Sequence, residues 1–303
     1  MRLIVLGSGA GGGIPQWNAN NPRSREAFAN DPLTPRRTQA SIAVSSDGDH
    51  WLLLNASPDL RQQIIATPAL HPKGPALRHS PIAAVMLTGA DVDQVAGLLT
   101  LRERQPFTLY ASTRVQKALA ANPIFNVLSP DKVQRKILPL GQEVQAIPGL
   151  KVWAFPAPGK VALYMEDETK AALGTEEGDT VATLIEDVIT GRSVVFAPSC
   201  ATVAEDILTL ASSAHCLLFD GTFFTEEEML ATGEGTKTAA RMGHVPMSGE
   251  KGSMNAFMNI TDTRKLYIHI NNTNPASRRG TPEELQIRRA GWELAEDGME
   301  IVL

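Results

Sequence analysis

Leu87-Thr88-Gly89-Ala90-Asp91-Val92-Asp93-Gln94-Val95-Ala96-Gly97-Leu98-Leu99 is the stretch that decides the fold. Ala83 to Leu87 reads as a buried strand. It runs into a short polar loop, and a helix is predicted to begin near Asp93 and to occupy Val95 to Arg104. Asp91 and Asp93 sit at this junction. Either suits a helix N-cap, where a carboxylate accepts free backbone N–H groups. Adjacent carboxylates can also share a capping role with a chemical one.

The flanking sequence extends the strand-loop-helix theme. Arg2 to Leu6 is β-rich and enters a glycine loop, Gly7 to Gly13. Ser41 to Val44 and Trp51 to Asn55 are predicted strands around the Ser46-Asp47-Gly48-Asp49 turn. Pro58 to Ala66 is a predicted helix with Ser57 as N-cap and Pro58 at its first position. Further strands are expected at Phe107 to Ala111, Val152 to Pro156, Ala162 to Met165, Thr180 to Asp187, Ser193 to Ala197, Cys216 to Asp220 and Leu266 to Ile270. Helices are expected at Thr113 to Ala121, Ala204 to Ala211 and Pro282 to Leu294. Early strands form hairpins and later ones alternate with helices. Two stacked sheets with helices outside satisfy that pattern. No Pro-, Gly- or Ser-rich linker divides the chain, so residues 1–303 are expected to be one domain of two similar halves. Residues 18–37, poor in apolar side chains, are expected to be a surface excursion.

Bulk composition narrows the partners. The net charge is −5, and no run of Lys and Arg makes a phosphate-tracking stripe. Nucleic acid is therefore not an expected partner. No apolar run approaches the ~18 residues of a membrane span, and Met1 to Gly7 is too short for a signal peptide. Two cysteines, Cys200 and Cys216, make no disulfide framework and fit a reducing cytoplasm.

Several residues are candidates for chemistry. Gly7-x-Gly9-x-x-Gly12 matches a dinucleotide fingerprint, but Pro15 and Pro22 follow where that site needs a helix. A glycine loop packed close to another backbone is the better reading. Asp220 closes a strand, where α/β sheets place their chemistry. His269 sits in Tyr267-Ile268-His269-Ile270, ahead of the polar Asn271-Asn272-Thr273-Asn274. His244, in a loop, is open to roles as ligand or base. His215 reads as structural.

The opening stretch is similar to the metallo-β-lactamase superfamily motif, Leu-Thr followed by His-x-His-x-Asp-His and x-x-Gly-Leu. The three histidine positions fall on Gly89, Asp91 and Gln94, and the aspartate is Asp93. The chain as a whole resembles one family, the coenzyme PQQ synthesis protein B family. The segments that carry the resemblance include Gly7 to Asn18, Arg37-Thr38-Gln39-Ala40-Ser41, Leu54 to Arg61, Phe219 to Phe223, Met242 to Met247 and His269 to Pro275. It implies an α/β, four-layer αββα sandwich with two mixed sheets and a place in pyrroloquinoline quinone (PQQ) biosynthesis. It also implies PQQ or its precursor as ligand, with other proteins of that pathway as possible partners.

Two departures from the family pattern matter. Family cysteines that hold a structural zinc are replaced by Ala19, Asn21 and Ser24, which supply no thiolate, so no such zinc is expected. Gln94 stands where the family keeps histidine. The expected metal set is then Asp93, Asp220 and His269, with Asp91 or His244 completing it. Oxygen-rich donors with one or two imidazoles suit Fe(II) better than two zincs. Of the roles the resemblance implies, the leading expectation is an iron-dependent hydroxylase acting on the tyrosine-derived ring of a Glu-Tyr precursor, with His244 and Asp91 assisting. A carrier aiding transport of PQQ or its precursor to the periplasm is the alternative, and a metallohydrolase the third. Arg36, Arg37, Arg61, Arg278 and Arg279 are expected to receive the ligand's carboxylates, because guanidinium binds them bidentately.

Overall fold

The computed structural model describes residues 1–166 and 176–303. Its first sheet contains β1 (Arg2–Gly7), β2 (Ser41–Ser45), β3 (Trp51–Leu54), β4 (Ile82–Met86), β5 (Phe107–Ala111) and β6 (Val133–Ile137). The second contains β7 (Val144–Ile147), β8 (Leu150–Pro156), β9 (Val181–Asp187), β10 (Ser193–Ala197), β11 (Cys216–Asp220), β12 (Arg264–Ile268) and β13 (Trp292–Leu294). A last strand, β14 (Glu300–Val302), returns to the first sheet beside β1. The orders are β14-β1-β2-β3-β4-β5-β6 and β13-β12-β11-β10-β9-β8-β7. Both sheets are antiparallel up to one central strand, β3 or β10, and parallel beyond it.

Side-chain alternation builds the layers. Leu3, Val5, Leu52 and Leu54 point between the sheets, where they meet Val152, Ile185, Phe196 and Leu218. Their neighbours Ile4, Leu6, Trp51 and Leu53 point the other way, onto helices α2 (Leu60–Ala66) and, further along the sheet, α4 (Thr113–Ala121). The outer face of the second sheet packs against α5 (Glu205–Ser213), α7 (Ser253–Ala256) and α8 (Pro282–Arg289). Strands buried on both faces explain the nearly continuous apolar runs such as Trp51-Leu52-Leu53-Leu54. The result is the expected αββα sandwich with two mixed sheets.

Local expectations fail where tertiary contacts override them. The helix predicted over Val95 to Arg104 is a short α-helix at Val92–Val95 followed by a 3-10 run, Ala96–Arg102. Gly97 lies against the Ala56-Ser57 backbone, and a Cβ there would sit 2.1 Å from the Ser57 carbonyl oxygen. Ala162 to Met165 is not a strand: Leu163–Met165 is a 3-10 turn, with the Leu163 N–H donating to Asp91 Oδ1 at 3.1 Å. The last helix ends at Arg289, because Trp292–Leu294 pairs with β12 and Trp292 stacks on Tyr267 at 4.0 Å. Ser57 does not cap α2. That helix starts at Leu60 with Asp59 at its N-cap position, while the Ser57 hydroxyl donates to Gln63 Oε1 and accepts the Asp59 N–H at 3.2 Å. Residues 18–37 carry a helix, α1 (Pro22–Phe28), and tuck Ser24, Ala27, Thr34 and Arg37 inward, while the rest of the segment is exposed or half-buried.

The glycine loop has the close packing expected of it. No helix begins there, and a Cβ on Gly13, whose φ is +68°, would lie 2.7 Å from the Arg37 carbonyl oxygen. Among the described residues no helix is long and apolar enough to cross a membrane.

Candidate metal centre

The loops that follow β1, β4, β11 and β12 converge at the carboxyl ends of the strands, the usual site of chemistry in such sheets. They enclose a cleft of about 1060 Å³. Asn55 pins the β4 loop by donating from Nδ2 to Thr88 Oγ1 at 2.9 Å and accepting the Thr88 N–H at 2.9 Å. His269 directly follows β12 with φ +65°, a backbone region that costs a non-glycine residue energy and clusters at functional sites.

Three buried residues, Asp220, His244 and His269, bring their donor atoms within 4.8 Å of one another. Asp93 joins them: its Oδ2 lies 2.9 Å from His269 Nε2. The His244 and His269 rings stack with centroids 5.4 Å apart. Burial alone pulls His269 toward its neutral form, but the Asp93 hydrogen bond and charge outweigh it and raise its pKa. Burial likewise opposes ionisation of Asp93, yet the bond to His269 keeps its pKa below the ordinary value. The two shifts belong to one mutually stabilising histidine–carboxylate pair.

Asp220 is differently engaged. Its Oδ1 accepts the Thr222 N–H at 3.0 Å and the Thr222 hydroxyl at 2.6 Å. Its Oδ2 accepts the Cys200 N–H at 2.8 Å and faces His244 Nδ1 at 2.7 Å. A carboxylate offers roughly four acceptor positions, so these partners fill it. The Cys200 thiol beneath is pushed up to about 12 by burial and the Asp220 charge, and is no thiolate ligand.

Asp91 occupies the N-cap position of α3 (Val92–Val95) but makes no side-chain cap bond. Its carboxylate holds Leu163, and burial together with the Asp93 charge raises its pKa. Gln94 lines the cleft, but its Oε1 is buried without a hydrogen-bond partner. A Cβ on Gly89 would fall 2.3 Å from that oxygen. Gln94 thus occupies the space in which a side chain at Gly89 would stand.

The arginines expected at the ligand lie elsewhere. Arg36 donates to the Ala27 and Phe28 carbonyls, and Arg37 is buried against Ser8 and the Ala295 carbonyl. Arg278 pairs with Glu26 and Asp31, and Arg279 with Glu296. Arg61 is exposed on α2. None of the five lines the cleft; among the described residues its cations are Lys160 and Arg23. The sequence reading missed both. Lys160 pairs with Glu166 at 2.7 Å, and its methylenes rest on Gly243 beside His244. The walls are otherwise rich in amides, including Gln16, Asn20, Asn271 and Asn272.

Asn21 caps α1 by accepting the Ser24 N–H at 2.7 Å and donates to Asn272 and Glu234. With Ala19 and Ser24 beside it, this segment offers no thiolate and does not fit a closed zinc site.

Residues 50–270 match the beta-lactamase superfamily domain, and the two-sheet architecture with donors at the strand ends is the metallo-β-lactamase fold. A diphosphatase of the PhnP family shares that fold, with a TM-score of 0.70 and 17% identity over 100% of this chain and 97% of its own. The likeness to two other proteins is far closer. Coenzyme PQQ synthesis protein B of Methylobacterium sp. (strain 4-46) is 48% identical over 307 residues, covering 100% of both chains. The crystal structure of Zn(2+)-bound PqqB from Methylobacterium extorquens superposes with a TM-score of 0.96 at 47% identity, again over 100% of each. The chain belongs to the coenzyme PQQ synthesis protein B family.

Proposed function

We propose that this chain serves PQQ biosynthesis as a metal-dependent oxygenase that hydroxylates the tyrosine-derived ring of the Glu-Tyr precursor. The observation that carries the reading is the donor set. Asp93, His244 and His269 would hold the ion, and two imidazoles with one carboxylate and open positions suit Fe(II). Asp220, whose acceptor positions are filled by four partners, serves as the brace of that set. Bound there, iron would supply the activation of O2.

The protein's own residues bind, orient and shield the precursor. Lys160 and Arg23 are the cations of the cleft; each is already paired, with Glu166 and Glu26, so they would receive the precursor's carboxylates by exchange for those partners. The amide walls donate to and accept from its remaining polar groups. Leu163, held over the cleft by Asp91, narrows access to water.

A second reading, a carrier of PQQ or its precursor, is favoured by Gln94, whose amide is turned to Gly89 and offers the metal no imidazole. Anaerobic Fe(II) titration of the metal-stripped protein, followed by O2 uptake with a Glu-DOPA-like substrate, separates the two. Stoichiometric Fe(II) binding with substrate-dependent uptake is expected, and His269→Ala should abolish both. Folded protein that binds the ligand but neither iron nor O2 would leave the carrier.

A further inference from the structure

Among the described residues, Thr222 is the one whose hydroxyl contacts three members of the site. It is 3% exposed and lies two residues beyond Asp220, across a tight turn at Gly221. Side-chain atoms of Tyr267 and Ile270 lie 2.8 Å from where a Cβ on Gly221 would be, so the turn admits no side chain there. Asn274 Nδ2 clamps the turn by donating to the Gly221 carbonyl at 3.0 Å. Thr222 Oγ1 is then 2.6 Å from Asp220 Oδ1, 2.8 Å from His269 Nδ1 and 3.1 Å from His244 Nδ1.

Proton counting decides what these contacts are. A threonine hydroxyl has one proton to give and two lone pairs to receive with. Asp220 is the nearest acceptor and the charged one, so the proton goes there, since bonds to ionised acceptors are the shorter and stronger ones. Oγ1 can then only accept. His269 Nδ1 must therefore carry a proton in order to bond it. His244 Nδ1 must carry one too, because it faces Asp220 Oδ2 at 2.7 Å as well as Oγ1.

From this geometry we infer that Thr222, braced by Asp220, is a positioning residue. It fixes Nδ1 as the protonated nitrogen of His269, and together with Asp220 does the same for His244, so that Nε2 of each ring is reserved for the metal. The inference rests on the metal-holding part of the proposed function and is indifferent to whether the chemistry is oxygenation. Outer partners that set a ligating imidazole's tautomer are worth about 10- to 100-fold in metal affinity. Thr222 suits the task because its branched side chain has few rotamers, and its methyl keeps the hydroxyl turned one way.

The test uses zinc as a diamagnetic probe and 15N-labelled histidine. In the zinc-loaded protein both rings should be ligated through Nε2, and both Nδ1–H protons should be visible downfield and slow to exchange. Thr222→Ser should keep both signals and bind zinc within about twofold of wild type, whereas Thr222→Val should lose protection of the His269 Nδ1–H and bind zinc about tenfold more weakly or worse. In the Val variant His244 should keep its proton signal, because Asp220 still holds it. Ligation through Nδ1 of either ring overturns the inference. So does a Val variant with unchanged signals and affinity. Should Thr222→Val fail to fold, Thr222→Ala is read the same way. A wild type that binds no zinc, yet shows a protected His269 Nδ1–H that Thr222→Val removes, sinks the metal reading and keeps the hydroxyl's role.

Discussion

Glu228 opens helix α6 (Glu228–Thr232) with its carboxyl turned inward, 4% exposed, behind the cleft wall formed by Met229 and Thr273. It accepts the Phe224 N–H at 2.7 Å and the Thr273 hydroxyl at 2.5 Å. Burial outweighs these bonds and pushes its pKa up to about 7 from an ordinary 4.5. Below pH 4.5 the group is protonated in the folded and unfolded chains alike and costs nothing. As pH rises toward 7 the unfolded chain releases its proton first, so the folded state loses stability, and the loss levels off above the folded value. At about 1.4 kcal/mol per pH unit, the gap corresponds to a loss of about 3 kcal/mol between pH 4.5 and 8. Glu228→Gln keeps the shape and the acceptor oxygen but cannot ionise. Urea denaturation of metal-free wild type and variant at both pH values isolates the effect, since all other titrations cancel in the difference. The variant should gain about 3 kcal/mol on wild type between the two. A difference that stays constant across that range would falsify the buried, protonated Glu228.

Two further substitutions probe other parts of the structure. Gly97→Ala should destabilise the protein by about 3 kcal/mol or more, read as a lower urea midpoint, because the added methyl would lie 2.1 Å from the Ser57 carbonyl oxygen, a backbone atom that cannot yield cheaply. A midpoint within error of wild type would mean that this contact has been misjudged. Gln94→His should tighten Fe(II) binding, measured by anaerobic titration against a chelator, because it adds an imidazole beside Asp93 and has room above Gly89. Unchanged affinity would mean that residue 94 faces away from the ion.

Much of the fold was legible because the interior strands carry their own signature. Phe107–Ala111, Ser193–Ala197 and Cys216–Asp220 have the bounds the sequence predicts, and so does Thr113–Ala121, whose N-cap Ser112 accepts the Val115 N–H at 3.1 Å. Each is an apolar or amphipathic run with a clear start and stop. The strands that escaped notice, β6, β7, β13 and β14, lie at sheet edges. Val133-Gln134-Arg135-Lys136-Ile137 buries only its first residue. An edge strand is recruited by its neighbour's free backbone groups, and polar side chains there discourage pairing with other chains. Such a segment leaves almost no trace in hydrophobic periodicity.

The site divides along the same line between what a residue is and what it touches. Asp93, His269 and Asp220 could be picked out as donor types at or just beyond strand ends and His244 as one in a loop, and the structure gathers all four. That Asp220 is saturated could not be read from sequence, because its partners come from Cys200, Thr222 and His244 on separate loops. Thr222 carried no signal beyond Asp-Gly-Thr. The arginines misled for a related reason: a guanidinium is free only if no carboxylate reaches it, and Arg278 is claimed by Asp31 from the other end of the chain. Gly89 and Gln94 show the converse. Taken singly they look like two lost ligands, evidence of decay. Taken together they are complementary, one side chain filling the space left by the other, so the loop keeps its packing while Asp93 keeps its bond to His269. A side chain added at Gly89 would therefore press on Gln94 Oε1, one residue from Asp93 and its bond to His269.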